Sequence, residues 1–119
     1  MSTANDADWS RSRERLVQVS EKDLEALLHD VGRGDRAALK HLYEAYSPRL
    51  FAILCRLVAS QVLAEDVLRD VFIAVWQEAW RFDATKCVAS AWLIALTRRQ
   101  CIVALKAESV LARSDRVSF

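Results

Sequence analysis

Apolar residues along the chain recur mostly every three or four positions, the spacing of helices that each bury one stripe. In "SEKDLEALLHDV" the stripe is Leu24, Leu27, Leu28 and Val31, with Ser20 placed to cap and Asp23 to complete a capping box. After "GRG" breaks the pattern, Asp35 is set to cap "RAALKHLYEAY", where Ala38, Leu39, Leu42, Tyr43 and Tyr46 face inward. Ser47 and Pro48 form a second start signal, since serine caps and proline suits the first helical position. "RLFAILCRLVAS" continues with Leu50, Phe51, Leu54, Leu57 and Val58, so this region is one kinked helix or two. A further helix is expected over roughly 61–80, then a polar, turn-prone loop "RFDATKCV", then a last helix over roughly 89–107. Residues 1–19 are polar and mixed in charge and are expected to form a flexible arm, and 109–119 to fray or carry a short turn. The expected fold is all-α, a compact bundle of about four to five helices over 20–108.

Composition agrees with that pattern. Two glycines and one proline in 119 residues are too few for the turns of a sheet-rich fold. A formal net charge of +1 excludes a chain that binds polyanions through its overall charge, so any hold on nucleic acid must be local. No uncharged apolar run is long enough to span a membrane, and "MSTANDADWSRSRER" lacks the apolar stretch of a signal peptide, so a cytoplasmic protein is the default expectation. Cys55, Cys87 and Cys101 form no CxxC pair, which supports neither a zinc site nor a disulfide framework. Cys55 and Cys101 fall in helical patterns as small core residues, whereas Cys87 falls in the loop.

Enzymatic chemistry has no visible residues to carry it. There is no serine–histidine–acid set, no metal-ligand cluster and no phosphate loop, and "GRG" is not followed by the lysine such a loop needs. His29 and His41 stand alone on amphipathic helices, as surface or rim residues, and no cofactor is implied.

The informative stretch is "AEDVLRDVFIAVWQEAW", residues 64–80. Ala64, Val67, Leu68, Val71, Phe72, Val75 and Ala79 fill one side of its helix. At about 100° per residue, Asp66, Asp70, Ile73 and Gln77 align as a strip on the other side, flanked by Arg69 and Trp80. An isoleucine among carboxylates suits the centre of an interface, although single apolar residues are also ordinary on surfaces. The next helix reverses the charge: Lys86, Arg98, Arg99 and Lys106 are accompanied by no acid between 86 and 106. An acidic arm that fits a basic protein thus precedes a basic arm that fits phosphates. Trp92 lies on the flank of Arg99 and Lys106, where an indole either stacks on a base or packs inside, the latter favoured by Leu93, Ala95 and Leu96 around it.

"GDRAALKHLYEAYSPRLF", "AEDVLRDVFIAVWQEAWRFD" and "AWLIALTRRQCIVAL" resemble region 2 of extracytoplasmic-function (ECF) sigma factors of the sigma-70 family, over residues 22 to 107. The resemblance implies a non-enzymatic, all-helical transcription initiation domain that docks on the RNA polymerase core and opens promoters. It implies that Asp66, Arg69, Asp70, Ile73 and Gln77 contact the β′ clamp helices. It further implies that Phe82, Asp83, Ala84, Thr85 and Lys86 hold a base flipped from the non-template strand of the −10 element, with Arg98, Arg99 and Lys106 on the DNA strand and Trp92 largely packed inside. The chain departs from the family pattern at Arg99, Val103 and Ala104, where asparagine, aspartate and arginine are usual, and "FDATKCV" replaces a proline- and glycine-containing loop. It stops where a linker to region 4 is expected, as a fragment or a stand-alone region 2 would. The extra apolar character of the last helix at Ile94, Cys101 and Leu105 is instead suited to an anti-sigma factor or to a second copy of the chain. The alternative function is therefore a sigma-like protein-interaction module, an anti-sigma target or decoy, that does not melt promoters.

Overall fold

The computed structural model describes the backbone of residues 20–117 and the side chains as far as Leu111; the expected N-terminal arm, 1–19, lies outside the described residues. Among the described residues four α-helices follow one another: α1 Glu21–Gly32, α2 Arg36–Leu57, α3 Gln61–Glu78 and α4 Ala89–Val117, with a 3-10 turn at Ala79–Arg81 after α3. The protein is all-α, as the apolar spacing predicts.

The starts of the helices are fixed by short polar side chains. Ser20 Oγ accepts from the Asp23 amide at 3.1 Å, Asp35 Oδ1 from the amides of Ala37 and Ala38 at 2.9 and 3.2 Å, and Ser60 Oγ from Leu63 at 3.2 Å. α4 is capped from a distance: Glu21 Oε2, at the start of α1, accepts from the Ser90 amide at 3.1 Å. That bond satisfies one of the open donors at the head of α4 and ties the first helix to the last.

Between α1 and α2 the chain turns at Gly34, whose φ of 91° is open to glycine without steric cost. Gly32 is glycine for a different reason: a β-carbon there would lie 2.9 Å from the Trp80 backbone, so the end of α1 is in close contact with the 3-10 turn. Pro48 does not divide α2, which is one continuous helix of 22 residues. Proline withholds the amide that the Glu44 carbonyl would accept, and both residues are exposed, so water can satisfy that oxygen.

Leu24 and Leu28 of α1, Leu42, Leu50 and Leu54 of α2, Val67, Val71 and Val75 of α3, and Leu93 and Leu96 of α4 interleave in one core. The only buried polar side chain among the described residues, Thr97, donates its hydroxyl to the Leu93 carbonyl at 2.9 Å. Burial also raises the pKa of Tyr46 above its ordinary value; nearby Glu21 adds to that and Arg49 opposes it.

Three inward assignments need correction. Tyr43 is 46% exposed, because its ring lies edge-on against Phe72 at 4.9 Å along a groove between α2 and α3. Leu57 is exposed at the end of α2, and Cys55 is on the outer face of that helix, one residue past the buried Leu54. α4 runs on past the expected end near 107 to Val117 without fraying into a turn.

Candidate interaction surfaces

α3 turns its assigned core residues inward and its strip outward. Every residue assigned to the core, from Ala64 to Ala79, is buried, while Asp66, Asp70, Ile73 and Gln77 are all exposed, Ile73 by 48%. Arg69 donates to Asp66 Oδ1 at 2.7 Å and so offsets that carboxylate. Asp70 makes no such pair and is the open negative charge beside Ile73.

Along one side of this strip runs an apolar groove of about 1100 Å³ between α2 and α3, with Leu39, Tyr43, Phe51, Phe72, Ile73 and Trp76 among its walls and Glu65 and Arg69 at its rim. Its contribution was not legible from the α3 periodicity alone. The available signal was Trp76, which follows Ile73 by three positions and so shares its flank.

The loop after α3 is held at both ends. Phe82 is 5% exposed, its ring 5.5 Å from His29 and 5.8 Å from Trp92. It therefore anchors the loop from within, which corrects its assignment as a group that touches a base. Cys87, half-buried against the core, holds the other end. Between them Asp83 folds the chain: its carboxylate accepts from the Thr85 amide at 2.9 Å and hydroxyl at 2.6 Å, and its carbonyl accepts from the amides of Lys86 and Cys87. The two Thr85 hydrogen bonds, the side-chain one first, lower the Asp83 pKa, and the charges of Lys86 and His29 act in the same direction. Ala84, Thr85 and Lys86 are left outermost.

On α4 the three cations are not equivalent. Arg99 forms a bidentate pair with Glu78 of α3, one N–H donating to Oε1 at 3.0 Å. Arg98 and Lys106 are exposed and make no ion pair among the described residues. They line, with Arg99, a shallow depression of about 750 Å³ along the exposed face, whose apolar residues are Ala91, Ile94, Ala95, Ile102 and Val103. Trp92 is half-buried and turned to Phe82. Cys101 belongs to the core and not to this surface, and burial raises its thiol pKa; Ile102 and Val103 supply the apolar exposure instead. In the 3-10 turn after α3, Trp80 is 65% exposed, with the Arg81 guanidinium 5.1 Å from its ring centre.

Among the described residues no helix is long and apolar enough to cross a membrane, and no group of histidine, cysteine and carboxylate side chains could hold a metal ion.

An acidic helix, a pinned loop and a basic helix in this order are what sigma-70 region 2 combines, and residues 42–110 match the Sigma-70 region 2 family; the chain belongs to it. Its similar relatives are named ECF RNA polymerase sigma factor SigK. The protein of Mycobacterium ulcerans (strain Agy99) is 31% identical over 96 residues, which is 81% of this chain and 50% of the relative. That of Mycobacterium bovis (strain BCG / Pasteur 1173P2) is 29% identical over 86 residues, 72% of this chain and 46% of the relative. That of Mycolicibacterium vanbaalenii is 27% identical over 93 residues, 78% and 47% of the two chains. The chain thus spans about half the length of the curated relatives it matches. No solved structure matches it significantly.

Proposed function

We propose that this chain is the domain of an ECF sigma factor that docks on the RNA polymerase core and takes part in opening the −10 element. The observation that carries the reading is the α3 strip, an exposed isoleucine set among Asp66, Asp70 and Gln77 on a family member's surface, opposite the core. An apolar centre with a polar rim is the arrangement of an interface, and the open carboxylate of Asp70 suits a basic coiled coil such as the β′ clamp helices. Arg69 serves here by keeping Asp66 in place as much as by direct contact.

The loop and α4 serve the DNA strand. Extruding a base costs roughly a few kcal/mol, which a preformed receiving surface recovers. The Asp83 turn, with Phe82 beneath it, preforms such a surface and presents Ala84, Thr85 and Lys86. Among the described residues of the loop and α4, Lys86, Arg98 and Lys106 have no ion pair, and Arg99 must release Glu78 before it can hold a phosphate. If these carry the contact, the salt dependence of single-strand binding is about 0.7 per phosphate neutralised.

The direct test is isothermal titration of the chain with a β′ clamp-helix fragment. One-to-one binding that Asp70→Arg weakens at least about tenfold supports the reading; no binding, or binding that ignores the substitution, contradicts it. A second reading, a protein-interaction module that does not melt DNA, draws support from the apolar depression on α4 and from the engagement of Arg99 by Glu78. Fluorescence anisotropy separates the two: preference for a single-stranded −10 oligonucleotide over a scrambled one removes the second reading, and equal binding favours it.

A further inference from the structure

The α4 depression has a chemistry that phosphate does not satisfy. Its floor is apolar, and two cations without an ion pair among the described residues, Arg98 near its middle and Lys106 at one end, stand on either side of Ile102. Those three lie four residues apart in turn, about 6 Å each along the helix. A partner that fits must bring an apolar side chain to Ile102 and acceptors on either side of it. The chain carries that pattern itself, since on α3 Ile73 lies between Asp70 and Gln77, three and four residues away, about 4.5 and 6 Å along the axis.

We propose that the exposed face of α4 docks the α3 strip of a second copy of this chain, with the two helices antiparallel. Ile73 of one copy sets against Ile102 of the other, which brings Asp70 level with Lys106 and the Gln77 side-chain carbonyl level with Arg98. Complementary charge supplies the pairing: among the described residues neither Asp70 nor Lys106 has an ion pair. A formal net charge of only +1 leaves little long-range repulsion between copies. Repeated about a two-fold axis, the contact closes a dimer. It covers in each copy both the face proposed for polymerase and the face proposed for DNA, so the dimer is a reserve form that dissociates before either partner binds. The inference is independent of the function proposed above, because it is tested with neither polymerase nor DNA present.

The experiment is sedimentation velocity of the 119-residue chain from about 5 to about 500 µM in low salt. The weight-average mass is expected to rise from 13.5 kDa toward about twice that value. Asp70→Lys and Lys106→Asp are each expected to raise the concentration at half-association about tenfold, and the doubly exchanged chain to restore it. Ile102→Asp abolishes association. All of these positions are exposed, so far-ultraviolet circular dichroism is expected to show unchanged helix content. A chain that remains at 13.5 kDa throughout, or association indifferent to both charge substitutions, overturns the proposal.

Discussion

α3 and α4 pack on the same core and divide their surfaces differently. On α3, most positions obey the 3.6-residue period, with apolar side chains inside and polar ones outside, and Val62, Ile73 and Trp76 are the exposed apolar exceptions. On α4 the first half is buried by Leu93, Leu96 and Cys101, yet Ile102, Val103 and Leu105 are exposed, and Val110 and Leu111 continue that exposure. Its 29 residues, at about 1.5 Å each, make a helix roughly 43 Å long, more than the neighbouring helices cover. The difference teaches where an interface can be read. An apolar residue on an otherwise polar face is visible in the periodicity of the sequence, whereas a helix apolar all round shows its outer face only once the core has claimed its share.

The largest effect that sharpens this contrast comes from adjacent residues on α3. Val71→Asp buries a carboxylate with no partner and is expected to cost about 4 kcal/mol or more, most of the stability of a small domain. Asp70→Arg, one position away, is expected to stay within about 0.5 kcal/mol. Urea denaturation of both measures the contrast, and a comparable loss in each would erase the division of faces.

Next in size is the comparison along α4. Leu93→Ala, fully enclosed, is expected to cost about 2–5 kcal/mol, and Val110→Ala, on the projecting part, less than about 0.5 kcal/mol. Thermal unfolding of the two variants decides whether the second half of α4 contributes to the core.

The link between the two helices is smaller. Glu78→Ala removes the partner of Arg99 from a pair that is partly open to solvent, with side chains 24% and 50% exposed, so screening limits the loss to about 1 kcal/mol or less. The same change frees Arg99 and is expected to strengthen oligonucleotide binding at low salt. Weaker binding would mean that the pair positions Arg99 for DNA.

The smallest effect belongs to Asp83. Its folded pKa lies below the ordinary carboxylate value, so its contribution is fully present above about pH 4 and is lost as pH falls through the lowered value. Carboxyl chemical shifts followed by NMR are expected to place its midpoint below the ordinary aspartate value, and Thr85→Val to bring it back toward that value.

Much of this was legible in the sequence because local signals and burial agree. The caps at Ser20 and Asp35, the inner face of α3 and its acidic strip each rest on neighbours within one or two turns. What was not legible depends on distant partners. The ring of Phe82 lies between His29 and Trp92, from different helices, and no spacing within the loop discloses it. Glu21 caps α4 across 69 positions, and Arg99 meets Glu78 across 21. Tyr43 and Cys55 share the edges of apolar stripes, where periodicity alone does not decide which side of the boundary a residue takes. α4 outran its expected end because "ESVLARSDRV" contains neither glycine nor proline, the residues that stop a helix.

The central claim is that two adjacent helices of opposite charge serve two macromolecules, and mapping both partners on one labelled sample tests it most directly. Amide shifts in a dilute, ¹⁵N-labelled chain are followed while a β′ clamp-helix fragment or a −10 oligonucleotide is added. The account predicts that the fragment moves Asp66, Asp70, Ile73 and Gln77, and that the oligonucleotide moves Ala84 to Lys86, Arg98 and Lys106. If both titrants perturb the same residues, or if the α3 strip is silent to the fragment, the division of labour between these helices is contradicted.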